Sequence, residues 1–154
     1  MTTRIRLTVP PAVERSLIRQ ARKVYPIEMF AYLLGTIAGD SITIDDVWFP
    51  ENLKEHSGPN SVTPQPEWAI EAHEQAREDG LTIVGWSHSH PATREEGDLL
   101  RDRSQSEGDL DCGIRLSVSG VVVVQDVGKK KRRLRASLRF WGPTIQVEAV
   151  TKKL

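Results

Sequence analysis

Apolar and polar residues alternate over Ile5-Arg6-Leu7-Thr8-Val9, the two-residue period of a strand with one buried face. Pro10-Pro11 interrupts that pattern and suits the first turn of a helix, where a missing N–H costs nothing. The period then changes. Val13, Leu17, Ala21 and Val24 recur at helical spacing among charged residues, which predicts an amphipathic helix over 12–24 that Pro26 ends. Over 29–39 almost every residue is apolar, as in a central strand, and Gly39-Asp40-Ser41 reads as the turn into a second strand over 42–49. Residues 50–66 form a polar loop bearing Pro, Gly and Ser, of a length that is usually functional or mobile. A second helix is predicted over 67–79, with Trp68, Ala69, Ala72 and Ala76 on or near one stripe and Gly80 as its stop.

The apolar run Leu81-Thr82-Ile83-Val84 opens another strand, which continues through Gly85-Trp86-Ser87-His88-Ser89-His90 and which Pro91 is expected to stop. Residues 92–105 are densely charged, and Thr93 with Glu96 matches a capping box, predicting a short exposed helix. Ser106-Glu107-Gly108-Asp109-Leu110 begins a further polar segment. Val121-Val122-Val123-Val124 reads as a buried strand and Gly128-Lys129-Lys130-Lys131 as a turn. Residues 132–141 are the returning strand; after Gly142-Pro143, residues 145–150 supply a last alternating one. With no internal repeat, 1–154 is expected to be one domain, long enough for a hydrophobic core without covalent staples. Trp48, Phe49 and Trp141 are assigned to that core rather than to a contact surface.

Charge narrows the partners. Lys plus Arg (21) equals Asp plus Glu (21), so no polyanion is implied, and the basic run after Gly128 reads as a solvated hairpin rather than a nucleic-acid site. The single cysteine, Cys112, excludes an internal disulfide, suits a reducing compartment and is read as a small packed residue. No stretch approaches the ~20 apolar residues that span a bilayer, and the opening residues lack the apolar segment of a secretory signal. A soluble, cytoplasmic protein without a nucleic-acid or membrane partner is expected; its oligomeric state is left open.

The chemistry concentrates at His88-Ser89-His90. Side chains two apart on a strand share a face, so both imidazoles project together and form half of a metal site. Zinc takes imidazole nitrogen and carboxylate oxygen, and a catalytic zinc uses three protein ligands plus water. Glu28, directly ahead of an apolar strand, is the first candidate carboxylate; the alternative reading is a solvated charge at a helix end. His56 is read as a surface histidine. His73 is read as a helix-face residue, because Arg77 stands where a His-Glu-x-x-His zinc helix needs its second histidine.

These residues resemble the JAB/MPN metalloprotease motif, also called JAMM: an upstream Glu, then His-(Ser/Thr)-His-Pro, then Ser-x-x-Asp. The matching pieces are Glu28, His88-Ser89-His90-Pro91 and Ser106-Glu107-Gly108-Asp109, with similar flanks at Pro26-Ile27-Glu28, Tyr32-Leu33-Leu34-Gly35 and Ile83-Val84-Gly85-Trp86. Two departures stand out. Fifteen residues separate His90 from Ser106, where the family's spacing is roughly half as long. Asp98 and Asp102 lie nearer the usual distance but follow no Ser at the right offset, and the span from Ser106 to Val121 matches the family, so Asp109 is preferred. The second departure is Phe30-Ala31, where the family usually has a small Cys-Gly pair.

The resemblance implies an α/β (α+β) fold, a single MPN/JAB-like domain with a mixed, mostly antiparallel curved sheet flanked by two main helices. It further implies that His88, His90 and Asp109 bind Zn2+, that Glu28 is general base for a zinc-bound water, and that Ser106 donates to the oxyanion. The implied activity is that of a deubiquitinase-like isopeptidase of the prokaryotic branch, acting after the Gly-Gly tail of a ubiquitin-like protein or its conjugates. The loop 52–63 and the insertion 94–103 are expected to frame the channel for that tail. A peptidase releasing an amino acid from a sulfur-carrier protein, or a metal-free MPN scaffold, are the alternative functions.

Overall fold

Among the described residues, seven strands and two α-helices follow the pattern read from the sequence. They run in the order β1 (Thr3–Thr8), α1 (Pro11–Val24), β2 (Phe30–Ala38), β3 (Ser41–Trp48), α2 (Pro66–Glu78), β4 (Thr82–Ala92), β5 (Val118–Asp126), β6 (Leu134–Trp141) and β7 (Ile145–Val150). The computed structural model describes residues 3–92, 118–141 and 145–150. The helix expected near Thr93, the segment of Ser106 and Asp109, and Cys112 lie outside the described residues.

All seven strands join one curled sheet in the order β6-β5-β4-β2-β3-β1-β7. The pairs β2–β3, β2–β4 and β5–β6 are antiparallel, while β1–β3, β1–β7 and β4–β5 are parallel. The sheet is therefore mixed, with antiparallel pairing carrying the larger share of the ladder. Its curl brings the two edge strands, β6 and β7, back toward each other.

The helices lie on opposite faces, and each face has its own core. Val13, Leu17 and Ala21 of α1 pack with Leu7, Ala31, Leu33, Ile44, Val84, Val122 and Val124. Trp68, Ala72 and Ala76 of α2 pack with Phe30, Leu34, Trp48 and Ile83. Strand β2 feeds both cores by alternation, Ala31 and Leu33 toward α1, Phe30 and Leu34 toward α2, which is why its sequence is apolar without a period. Trp48 is buried and Phe49 partly buried against the core, as expected; the side chain of Trp141 lies outside the described residues.

Two local features aim β4. The first is a bulge. Leu34 pairs with Ile83 but Leu33 pairs with Gly85, so Val84 is an extra residue opposite β2. A one-residue insertion reverses which face every following side chain occupies. Ile83 faces α2 and Val84 faces α1; beyond the bulge Trp86, His88 and His90 return to the α2 face, where Trp86 meets Phe30 edge-on at 6.0 Å. The second is Pro91, which does not stop the strand as its chemistry suggested: β4 runs on to Ala92, and Pro91 pairs with Val124. Ser89 aims its N–H at Met29 O (3.0 Å), on the β2 side. Two residues later Pro91 would aim an N–H the same way, past the last described β2–β4 contact, so the missing donor breaks no ladder bond.

At the β5–β6 turn, Asp126 Oδ1 accepts from the N–H groups of Gly128 (3.0 Å) and Arg133 (3.1 Å), which hold its carboxyl below the usual carboxylate range with help from the nearby Arg132 charge. No helix among the described residues is long and apolar enough to cross a membrane.

Gly85 sits where β4 touches both neighbours. A Cβ there would lie 1.9 Å from the carbonyl oxygen of Val118, a backbone atom that cannot rotate away. Gly85→Ala is expected to lower unfolding free energy by about 2–3 kcal/mol in urea titration. Ile70→Ala, at a side chain 59% exposed on α2, should stay within about 0.5 kcal/mol of the parent.

Candidate metal centre

Register assembles the site. Phe30 pairs with His88 and Ala31 with Ser87 across the antiparallel β2–β4 ladder. Met29 continues it: Ser89 N–H donates to Met29 O, and Met29 N–H donates to Ser89 Oγ at 2.6 Å. One step further, Glu28 falls opposite His90 and on the same face, since 28 and 30 share a side as do 88 and 90. The hydroxyl of Ser89, the residue between the histidines, thus pins the backbone that carries the carboxylate.

The outcome is a buried trio. Glu28 is 4% exposed, His88 5% and His90 1%. One ligand atom from each lies within 4.8 Å of the others. The imidazoles converge through their Nε2 atoms, 2.8 Å apart, with ring centroids at 4.6 Å and planes inclined by 56°. Without an ion, such a contact needs one nitrogen to donate and the other to accept; with one, both present lone pairs and carry their protons on Nδ1. Two imidazole nitrogens and a carboxylate oxygen suit a borderline first-row cation, whereas calcium and magnesium favour all-oxygen sets. This group could hold a metal ion.

The same face continues across β5. His88 pairs with Val121 and His90 with Val123, and these valines form a small buried cluster with Ala92. Gln125, paired with Ala92, accepts from Arg135 Nη2 of β6 at 3.3 Å. The site therefore has an apolar floor on one flank and the Phe30–Trp86 edge contact on the other.

Of the five residues singled out from sequence, Glu28, His88 and His90 come together. Glu28 is buried, not a solvated helix-end charge. Ser106 and Asp109, and their alternatives Asp98 and Asp102, lie outside the described residues. His73 is exposed on α2 as expected. His56 is not simply on the surface: it is partly buried, its ring edge-on to Trp68 at 5.7 Å. Sequence reading set the loop 52–63 beside the substrate channel but did not foresee that it holds the backbone of Glu28. Ser57 Oγ–H donates to the backbone carbonyl of Glu28 (2.6 Å), and Gly58 O accepts from the Glu28 N–H (3.0 Å). In the sequence Ser57-Gly58-Pro59-Asn60 reads only as part of a polar loop.

A family profile described as prokaryotic homologs of the JAB domain matches residues 10–96, more than half the chain and all of the segment bearing the trio. The chain belongs to this family. As a JAB-domain homolog it falls within a group that includes the JAMM metalloproteases. No curated protein matches the sequence. Among solved structures, a protein of Desulfitobacterium hafniense is similar over 95% of this chain and 94% of its own, at 17% identity and a TM-score of 0.56. A protein of Salinibacter ruber is similar over 88% of this chain and 80% of its own, at 18% identity and a TM-score of 0.50. At these identities the likeness is one of fold.

If the trio is the ligand cluster of this JAB homolog, removing an imidazole must weaken metal binding more than removing an outer support does. His88→Ala and His90→Ala are each expected to lose at least about 100-fold in zinc affinity by equilibrium dialysis and to abolish the zinc-dependent rise in melting temperature. Retention of metal should also fall as pH is lowered, because protons compete for the same ring nitrogens.

Proposed function

We propose that this JAB-domain homolog is a zinc metallopeptidase that cleaves the bond after the Gly-Gly tail of a ubiquitin-like protein, maturing it or removing it from conjugates. The observation that carries this reading is the buried juxtaposition of Glu28 with the His88–His90 pair. The complete motif read from the sequence supports it. His88 and His90 would hold the ion through Nε2, with Asp109 as third protein ligand. Zinc bound there supplies a Lewis acid that polarises the scissile carbonyl and acidifies a water.

The protein's own groups do the rest. Glu28 takes the proton from the attacking water and passes it to the departing amine. Its burial keeps bulk water from competing for that proton. Ser106 donates a hydrogen bond to the oxyanion as charge develops there. An extended tail ending in two glycines can lie along a sheet edge and enter a channel too narrow for larger side chains. The loop 52–63 and the insertion 94–103 frame that channel, and the protein works in the cytoplasm.

The arrangement also admits Glu28 as a direct ligand, and one substitution separates the roles. Glu28→Gln is expected to keep zinc near one ion per chain while hydrolysis of a ubiquitin-like fusion, followed by mass spectrometry of the products, falls at least about 100-fold. Loss of zinc would make Glu28 a ligand, and near-normal turnover would remove it as base. Ser106→Ala should lower kcat by about 100- to 1,000-fold. Asp109→Ala should abolish zinc binding, whereas zinc loss from Asp98→Ala or Asp102→Ala would move the third ligand into the insertion. A wild-type protein that refuses zinc when metal is replete would be a scaffold. Cleavage restricted to an amino acid attached to a sulfur carrier would identify the biosynthetic alternative.

A further inference from the structure

Glu28 lies two residues ahead of β2, outside the sheet ladder, so its orientation must come from elsewhere. Its Cα–Cβ bond is set by two peptide planes, and both are gripped. The plane before Glu28 presents its N–H to Gly58 O at 3.0 Å. The plane after it is held at both edges, with Ser57 Oγ–H on the Glu28 carbonyl at 2.6 Å and Ser89 Oγ receiving the Met29 N–H at 2.6 Å. Because a peptide unit is rigid, holding the planes on either side of a Cα fixes the direction of its Cα–Cβ bond, from which the carboxylate departs.

The grip of Ser57 and Gly58 is itself braced. Ser57 and Val62 form an antiparallel bridge, Gly58 N–H donates to Ser61 O (2.9 Å), and Thr63 N–H donates to His56 O (2.8 Å), closing a miniature hairpin. The hairpin is footed on α2. Leu53 is buried in the α2 core, Asn52 Oδ1 accepts from Trp68 Nε1 (2.7 Å), and His56 packs edge-on against Trp68. Helix α2 thus reaches Glu28 through a chain of contacts that includes no metal-ligand candidate.

We infer that Ser57 is a positioning residue for Glu28: its hydroxyl holds the peptide after Glu28 so that the carboxylate stays directed at the His88–His90 nitrogens. The catalytic consequence rests on the hydrolase reading above; the mechanical one does not. Ser57 is only partly buried, so water can enter when its hydroxyl is removed, leaving Glu28 loosened while the fold and the imidazoles persist. Threonine keeps the hydroxyl and should keep the grip.

The test uses the full chain loaded with zinc, as parent, Ser57→Ala and Ser57→Thr. In Ser57→Ala the Glu28 amide, read by NMR hydrogen exchange, should exchange about tenfold faster as the local structure opens more often. Zinc stoichiometry should be unchanged. On a ubiquitin-like fusion kcat should fall on the order of 10- to 100-fold with KM little altered, as expected when a reacting group is misplaced rather than lost. Ser57→Thr should restore both amide protection and kcat. Unchanged exchange, or loosened exchange with parental kcat, overturns the inference. So does loss of zinc together with activity, or failure of Thr to rescue. If the zinc-loaded parent cleaves no such fusion yet Ser57→Ala still frees the Glu28 amide, the grip stands and the hydrolase reading falls.

Discussion

The β2–β4 register is the constraint on which the site depends. Strand β2 presents alternate side chains to two cores, so it can neither slide by one residue nor turn over without driving Ala31 into the space of Phe30. Strand β4 is locked to it with one extra residue, Val84, and that residue decides which side of the sheet receives both imidazoles. An unbulged β4 would leave Ile83 in the α2 core and send His88 and His90 toward α1. There they would meet the apolar cluster of Val84, Val122 and Val124.

Burial then shapes the chemistry. Two imidazoles and a carboxylate held together at 5% exposure or less are expensive to desolvate unless something shared satisfies them. A cation among them could take lone pairs from all three at once. The serines around the trio work on the backbone instead. Ser89 binds Met29 N–H and Ser57 binds Glu28 O, so the polypeptide bearing the carboxylate is held by hydroxyls from two different elements.

Much of this is written locally in the sequence and some of it is not. The stripe of Val13, Leu17 and Ala21 announces α1, and the aperiodic apolar run after Glu28 announces a strand buried on both sides. The parity of His88 and His90 puts them on one face whatever the fold. Which face is a different matter, because Ile83 and Val84 are both apolar and both buried, and a bulge between two apolar residues leaves no mark in a hydrophobic pattern. Pro91 misled for a related reason: proline ends a strand only where its N–H would have met a partner, and that depends on where β2 stops. Glu28 looks like any charge beside a helix end until the loop 29 residues away closes over its backbone. Asp109 rests on motif spacing alone, and the fifteen residues between His90 and Ser106 depart from that spacing.

The parallel pairing of β1 with β7 has a temporal consequence. Thr3 waits for Ile145, and at roughly 5–20 residues per second a growing chain needs about 7–30 s to supply it. Glu28, His88 and His90 are all made well before that. During the interval one side of β1 is an open template, and the charged Arg6, exposed between buried Ile5 and Leu7, discourages pairing with a stranger. The half of this protein that bears Glu28, His88 and His90 is therefore synthesised before β7 can join the sheet.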